Sequence, residues 1–271
     1  MPLENVVNPI LYYHRLIISY KGTSYFGWQD LGSHKKNPTV QSSIQQVLKQ
    51  ICNYQTCSIS AASRTDAGVH AQGQVIKITI AVEIDSAKLL IGMNSLLPDD
   101  IRILECESCP VSFNPNTQSK SKEYHYYFCT DTIYNPILND TVAHIPSHSK
   151  AFTGSLDISL MKEACKLFTG EHDFYSFAKR DSKMSSTYRT IVSCEILQAP
   201  SSTFGNEIYY IKVIGEGFLR HMVRFVAGAL FALGRKQLTL SDISEALLHH
   251  QELKIASKAK ASGLHLIEVS Y

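Results

Sequence analysis

No stretch of this 271-residue chain is long and apolar enough to span a bilayer, and its polar N-terminal segment does not read as a signal peptide. Those absences predict a cytoplasmic protein with no membrane partner. A dominant charge of one sign is also missing: 26 basic residues stand against 24 acidic ones, a formal +2. Strong nucleic-acid binders carry a clear basic excess, so the overall balance gives only weak support to such a partner. No secreted disulfide framework is visible, because the seven cysteines are odd in number and scattered through strand-like and helix-like patterns. Cys106 and Cys109 form a lone C-x-x-C without a second pair or a histidine at ligand spacing, which argues against zinc or redox chemistry there. There is no glycine-rich phosphate loop and no convincing metal-ligand cluster.

What is present is ample apolar content, 44% of residues, enough for one large or two small domains with a real core. Basic residues cluster locally: Lys35-Lys36, Lys120 with Lys122, Lys179-Arg180 with Lys183 and Arg189, Arg220 with Arg224, and Lys254, Lys258 and Lys260. If several of these met at one cleft they would form a phosphate-tracking surface.

The first half reads strand, loop, helix, strand, strand, helix. Leu11 to Tyr20 alternates as a strand. Thr39 is placed to cap a helix bearing Val40, Ile44, Val47, Leu48 and Ile51 on one face. Ser86 is expected to cap a second helix, which Pro98 stops. The apolar-poor segment from Asn114 to Lys122 looks like a crossing, and suggests halves of 1–116 and 117–271. In the second half Tyr124 to Cys129 is an aromatic strand, and Asp157 opens a helix. Strands follow over Tyr188 to Leu197 and Glu207 to Ile214. Arg220 to Leu233 is expected to be an amphipathic helix, Ser241 to Leu248 another, and Leu264 to Val269 a final strand. Hairpin-like strand neighbours mixed with helices predict an α+β fold.

The segment Arg64-Thr65-Asp66-Ala67-Gly68-Val69-His70-Ala71 carries the most information. It sets one carboxylate, two residues after a guanidinium, on a tight bend between two strand-like stretches. Residues two apart on a strand point the same way, so Arg64 and Asp66 are expected to face one cleft, with the arginine keeping the acid ionised. Ala67-Gly68 lets the backbone turn directly after the acid. An ionised acid on a rigid bend can serve as nucleophile, base or electrostatic stabiliser. On spacing alone, an aspartate at such a bend is more often an Asx-turn residue with a surface partner.

The whole eight-residue string, however, resembles the signature of the TruA family of tRNA pseudouridine synthases, in which the Asp, here Asp66, is the catalytic carboxylate. The resemblance covers nearly the whole chain. Tyr20-Lys-Gly-Thr-Ser-Tyr-Phe-Gly-Trp-Gln29 is similar to the family's N-terminal strand and turn, where Tyr25, Phe26 and Trp28 read as core anchors. Thr39-Val40-Gln41, Asn94-Ser-Leu-Leu-Pro-Asp-Asp-Ile101, Gly170-Glu-His-Asp-Phe-Tyr-Ser-Phe177 and Arg189-Thr-Ile191 also match. Lys122-Glu-Tyr-His-Tyr-Tyr127 resembles the K-x-Y-x-Y strand whose active-site tyrosine falls on Tyr124. Phe218-Leu-Arg-His-Met-Val-Arg224 resembles the helix start whose arginine, here Arg224, lies near the catalytic Asp. His221 within it reads as an ordinary structural histidine. Ala261-Ser-Gly-Leu264 resembles the terminal A-x-G-L that packs an aliphatic side chain, Leu264, against the bound base. Four departures stand out: Asn116 where arginine is usual, Ser63 where glycine is common, Lys258-Ala-Lys260 in place of an Ala-Pro lead-in, and a loop from Asp30 to Pro38 that is longer than usual.

The resemblance implies two α+β halves with antiparallel sheets around a central RNA-binding cleft. It implies an isomerase that turns uridine into pseudouridine at positions 38, 39 and 40 of the tRNA anticodon stem-loop, acting as a homodimer. No cofactor or metal is implied. Asp66 would add to the sugar C1′ or take the C2′ proton; the residues do not choose between these. Arg64 would fill the gap left by an extruded nucleotide or hold its phosphate. Tyr124 would stack on the base and assist proton transfer. The alternatives are a non-catalytic RNA-binding protein on the same fold, and an unrelated hydrolase using Asp66 with a second acid or a metal.

Overall fold

Alternating apolar positions become strand faces in a computed structural model, which describes residues 9–30, 32, 38–55, 57–146, 148–149, 152–179, 186–200, 205–249 and 254–271. Most of the long loop over 30–38, including Lys35 and Lys36, lies outside the described residues, as do Arg180 and Lys183. The strands are β1 (Tyr12–Tyr20), β2 (Cys57–Ala61), β3 (His70–Ile80), β4 (Ile101–Ser108), β5 (Ser121–Cys129), β6 (Ala143–His144), β7 (His148–Ser149), β8 (Phe152–Thr153), β9 (Gly170–Asp173), β10 (Tyr188–Gln198), β11 (Ile208–Gly215) and β12 (Leu264–Ser270). The helices are α1 (Val40–Ile51), α2 (Ser86–Leu96), α3 (Ile158–Cys165), α4 (Met222–Gly234) and α5 (Leu240–Leu248).

Among the described residues ten strands share one sheet in the order β4-β1-β3-β12-β5-β11-β10-β9, with β2 added to β3 and β6 to β5. Pairing is antiparallel except for β3 with β12 and β5 with β6. This is the α+β, mainly antiparallel architecture expected. The expected sheets lie edge to edge: β12 pairs with β5 along its length and pairs with β3 in parallel register at His265 opposite His70 and Leu266 opposite Ala71. That short parallel contact makes the sheet continuous.

Period-two alternation sends Leu16, Ile18 and Tyr20 of β1, Ile76, Ile78 and Ile80 of β3, and Tyr124, Tyr126 and Phe128 of β5 into one core. Each such side chain taken fully out of water contributes about 1.5–3 kcal/mol. Phe231 of α4 meets the rings of Tyr126 and Phe128 at 5.7 and 5.0 Å, fixing that helix across β5.

Local signals set most helix starts. Thr39 and Ser42 form a reciprocal capping box for α1, and the Asp157 carboxylate accepts from the Leu160 N–H at the head of α3. For α2 the cap is Asp85 rather than the expected Ser86, because its carboxylate reaches the Ala87 and Lys88 N–H groups. The Ser86 hydroxyl instead lies 3.1 Å from His14 Nδ1. Helix α4 is not amphipathic as expected. Eleven of its 13 residues are buried, since the sheet, α3 and the segment before β12 all pack on it. Asn94 is structural, its amide exchanging two hydrogen bonds with the Ile103 backbone. Tyr25 and Trp28 are core anchors, but Phe26 is 45% exposed.

Candidate active site

Strand β2 leaves β3 after Ala61, which sits opposite Ile76; Ala62 and Ser63 keep contact with Val75 and Gln74 of β3, and the bend over 64–69 then leads into β3. Several backbone and side-chain groups of this bend have fixed partners. The Ala62 N–H donates to the Val75 carbonyl, and the buried Gln74 amide brackets Ser63, accepting from its N–H at 3.2 Å and donating to its carbonyl at 2.7 Å. The Trp28 N–H donates to the Thr65 carbonyl at 3.0 Å, and the Tyr20 hydroxyl lies 2.8 Å from the Thr65 hydroxyl. Gly68, at φ +77°, makes the turn. Buried backbone groups satisfied in this way cannot shift without losing hydrogen bonds, so Asp66 is carried on a rigid support.

Asp66 does not pair with Arg64. The strand ends at Ala61, so the period-two rule that predicted a shared face does not apply at 64–66. Arg64 is exposed and has no hydrogen bond or ion pair among the described residues. The cation beside Asp66 is Arg224, in the first turn of α4. Its Nη1 donates to Asp66 Oδ2 at 3.1 Å, and its Nε donates to the Ala259 carbonyl at 2.9 Å. His221 Nε2 stands 3.3 Å from the other carboxylate oxygen, Oδ1. Burial pushes the Asp66 carboxyl upward, but the His221 contact and the Arg224 guanidinium outweigh it and hold the pKa below the ordinary carboxylate value. The group is an anion at neutral pH.

Tyr124 projects from β5 onto the same bend. Its hydroxyl lies 2.7 Å from the Ser63 hydroxyl, and its ring meets Phe218 edge-on at 5.1 Å. Burial pushes its phenol up to about 12, partly offset by the Ser63 hydrogen bond, so it stays protonated at neutral pH. Ser63, the departure from glycine, is thus a partner of the tyrosine hydroxyl. Leu264 is buried at the start of β12, opposite Tyr126, while its neighbour Leu266 lies opposite Tyr124. Asn116, the departure from arginine, accepts from Lys122 at 3.3 Å. That buried lysine also donates to the Ala62 carbonyl at 2.6 Å, at the root of the Asp66 bend.

Three basic clusters far apart in sequence meet here. The Lys179 N–H donates to the Arg220 carbonyl at 2.9 Å, and Lys258 Nζ lies 3.2 Å from His221 Nδ1. Burial, then the charge of Arg224, lowers the Lys258 pKa, with Lys179 and Arg220 acting in the same direction and Asp66 opposing. A nearly neutral chain therefore collects positive charge around one anion. His221 is the residue that sequence reasoning undervalued. Its signal was its place three residues ahead of Arg224, the arginine expected near Asp66.

A sequence model described as tRNA pseudouridine synthase matches residues 16–115 and 164–271. The chain belongs to this family. Within it, the chain is 48% identical over 260 residues to tRNA pseudouridine synthase A 2 of Desulfotalea psychrophila, covering 95% of this chain and 98% of that protein. It is 34% identical over 259 residues to tRNA pseudouridine synthase A of Listeria innocua, again covering 95% and 98%. These relatives support the TruA family and an isomerase. Among solved structures, a chain of a Cbf5-Nop10-Gar1 complex matches at 13% identity and a TM-score of 0.28, covering 97% of this chain and 59% of that one. At that TM-score the likeness adds nothing to the family assignment.

Proposed function

We propose that this tRNA pseudouridine synthase acts on uridines 38, 39 and 40 of the anticodon stem-loop, with Asp66 as the reacting carboxylate. The observation that carries this reading is the Asp66 anion, fixed by Arg224 and His221 beside the Tyr124 hydroxyl, with Lys258 near it and Lys179 and Arg220 near Lys258.

In the reaction the bond from C1′ to N1 breaks, the uracil turns, and a bond from C1′ to C5 forms. The hydrogen on C5 leaves as a proton and N1 takes one up, so the change is an isomerisation. The Asp66 anion attacks C1′ or removes the C2′ proton, and both routes need it unprotonated and immobile. Tyr124 holds a proton at neutral pH and lies within reach of the bend, suiting it to stack on the uracil and pass a proton. Arg64, exposed at the rim, fills the space of the extruded nucleotide or binds its phosphate. Leu264 lines the base pocket, and Arg224 keeps Asp66 ionised. Residues 1–116 carry the acid and residues 117–271 the base pocket. A homodimer working in the cytoplasm would spread the RNA over two such basic surfaces, which suits a small net charge. No described helix is long and apolar enough to cross a membrane.

The test is release of tritium from unmodified tRNA carrying 5-tritiated uridine, which requires bonding at C5. Wild-type protein should release it and Asp66→Asn should not, with tRNA affinity within about threefold of wild type. A wild-type protein that binds tRNA and releases nothing would make this an RNA-binding protein on the same fold. Release that persists in Asp66→Asn would move the chemistry to another group.

A further inference from the structure

His221 is one residue ahead of α4 and adopts the left-handed conformation, φ +66° and ψ 2°. A non-glycine residue held there is uncommon and costs about 1–2 kcal/mol, and such strain persists where surrounding contacts over-determine it. The contacts are on both nitrogens of the ring. Nε2 stands 3.3 Å from Asp66 Oδ1, and Nδ1 stands 3.2 Å from Lys258 Nζ. An ammonium has only protons to offer, so Nδ1 must present its lone pair to Lys258. The ring proton then sits on Nε2, facing the carboxylate.

Lys258 is brought there by the backbone. The Ala259 N–H donates to the Arg224 carbonyl at 3.0 Å while Arg224 Nε donates back to the Ala259 carbonyl, clamping residues 257–259 onto α4. Gly228 permits that approach, because a β-carbon there would collide with the Ser257 carbonyl.

We propose that His221 is a positioning residue for Asp66, and that Lys258 sets its tautomer. Arg224 holds Oδ2 and His221 holds Oδ1, so the carboxylate is fixed in rotation as well as in charge, with one lone pair of Oδ1 left to meet the sugar. Lys258 supplies the hydrogen bond that makes Nε2 the donor, as the outward partner of a catalytic histidine commonly does. The inference rests on the reading of Asp66 as the reacting group.

His221→Gly is the informative variant, since glycine accepts the left-handed conformation and the relieved backbone strain should offset part of the lost hydrogen bond, so that the fold is retained. Its single-turnover rate of tritium release should fall about ten- to hundredfold, the rate equivalent of one hydrogen bond to a charged group, while tRNA Kd stays within about twofold. His221→Asn, which also tolerates that backbone and keeps an N–H donor, should recover part of the loss. Nitrogen–proton NMR correlations of the RNA-free protein supply a second readout. The imidazole signal lost in His221→Gly should show a bare Nδ1 and a protonated Nε2, and Lys258→Met should alter that pattern. Wild-type activity in His221→Gly, or a proton on Nδ1 in the wild type, would overturn the proposal. A wild type that releases no tritium would instead overturn the reading of Asp66 beneath it, and the NMR result would still decide the tautomer.

Discussion

Replacing Arg224 by methionine keeps an unbranched apolar stem but removes the guanidinium from Asp66 Oδ2 and from the Ala259 carbonyl. The side chains of Arg224 and Asp66 are 10% and 20% exposed, so most of the pair is out of water. Breaking a fully buried pair from one side costs about 3–5 kcal/mol; with His221 still in place and part of Asp66 wet, about 2–3 kcal/mol is expected. For a chain of this size that is a fall in Tm of about 5–10 °C. The pH dependence follows from the lowered pKa of Asp66. In the wild type the stabilisation is complete above the unfolded carboxyl pKa of about 3.9 and is lost as pH falls through the lower folded value. Without Arg224, burial is opposed by His221 alone and the carboxyl moves up. The deficit of the variant is therefore full at neutral pH, shrinks as pH falls below the variant's raised carboxyl pKa, and is gone only below the lowered wild-type value, where Asp66 is neutral in both proteins. Adding Asp66→Asn removes the anion left unpaired, so the double variant should be more stable than the sum of the single losses by about 1 kcal/mol or more. Urea unfolding followed by circular dichroism at neutral and acid pH measures both effects. A deficit independent of pH, or losses that add to within about 0.5 kcal/mol, would show that Arg224 acts by packing and not by charge.

Tyr124→Phe should keep the ring against Phe218 and lose the hydroxyl that meets Ser63, so tRNA affinity should hold while single-turnover release slows by about tenfold or more. An unchanged rate would leave Tyr124 a stacking role only. His70 and His265 stack at 4.5 Å, and burial pushes their pKa values down to about 4 and about 3. Below about pH 6.5 the unfolded imidazoles take up protons and the folded ones do not, so stability should fall by up to about 1.4 kcal/mol per pH unit for each ring. His265→Gln, which keeps a donor for the Thr141 carbonyl, should flatten the dependence of the urea midpoint between about pH 6.5 and pH 4.5. An equally steep slope in the variant would refute the assignment to this ring.

Several features were legible because a few neighbouring residues encode them. The helix starts at Thr39 and Asp157 depend on a side-chain oxygen within reach of the next turn, and the alternation in β1, β3 and β5 depends only on the pleat. Ser86 was misread because Asp85, one residue earlier, is an equally suitable cap and its carboxylate reaches two N–H groups. Helix α4 departs from the amphipathic expectation because its single polar side chain, Arg224, is used inside the molecule and not at its surface.

By itself the sequence determined the fold class, the family, and the presence of an acid on a bend and a tyrosine on an aromatic strand. Tertiary structure decided which groups meet that acid. Arg64, two residues away, turns to solvent, while Arg224, 158 residues away, takes the carboxylate. It likewise decided that Ser63 meets the Tyr124 hydroxyl, that Asn116 meets Lys122, and that His221 stands between Asp66 and Lys258. The physical reason is one of range. Caps and strand faces follow from bonds spanning a few residues, whereas these contacts exist only after β12 has joined β3 to β5 and residues 257–259 have closed onto α4.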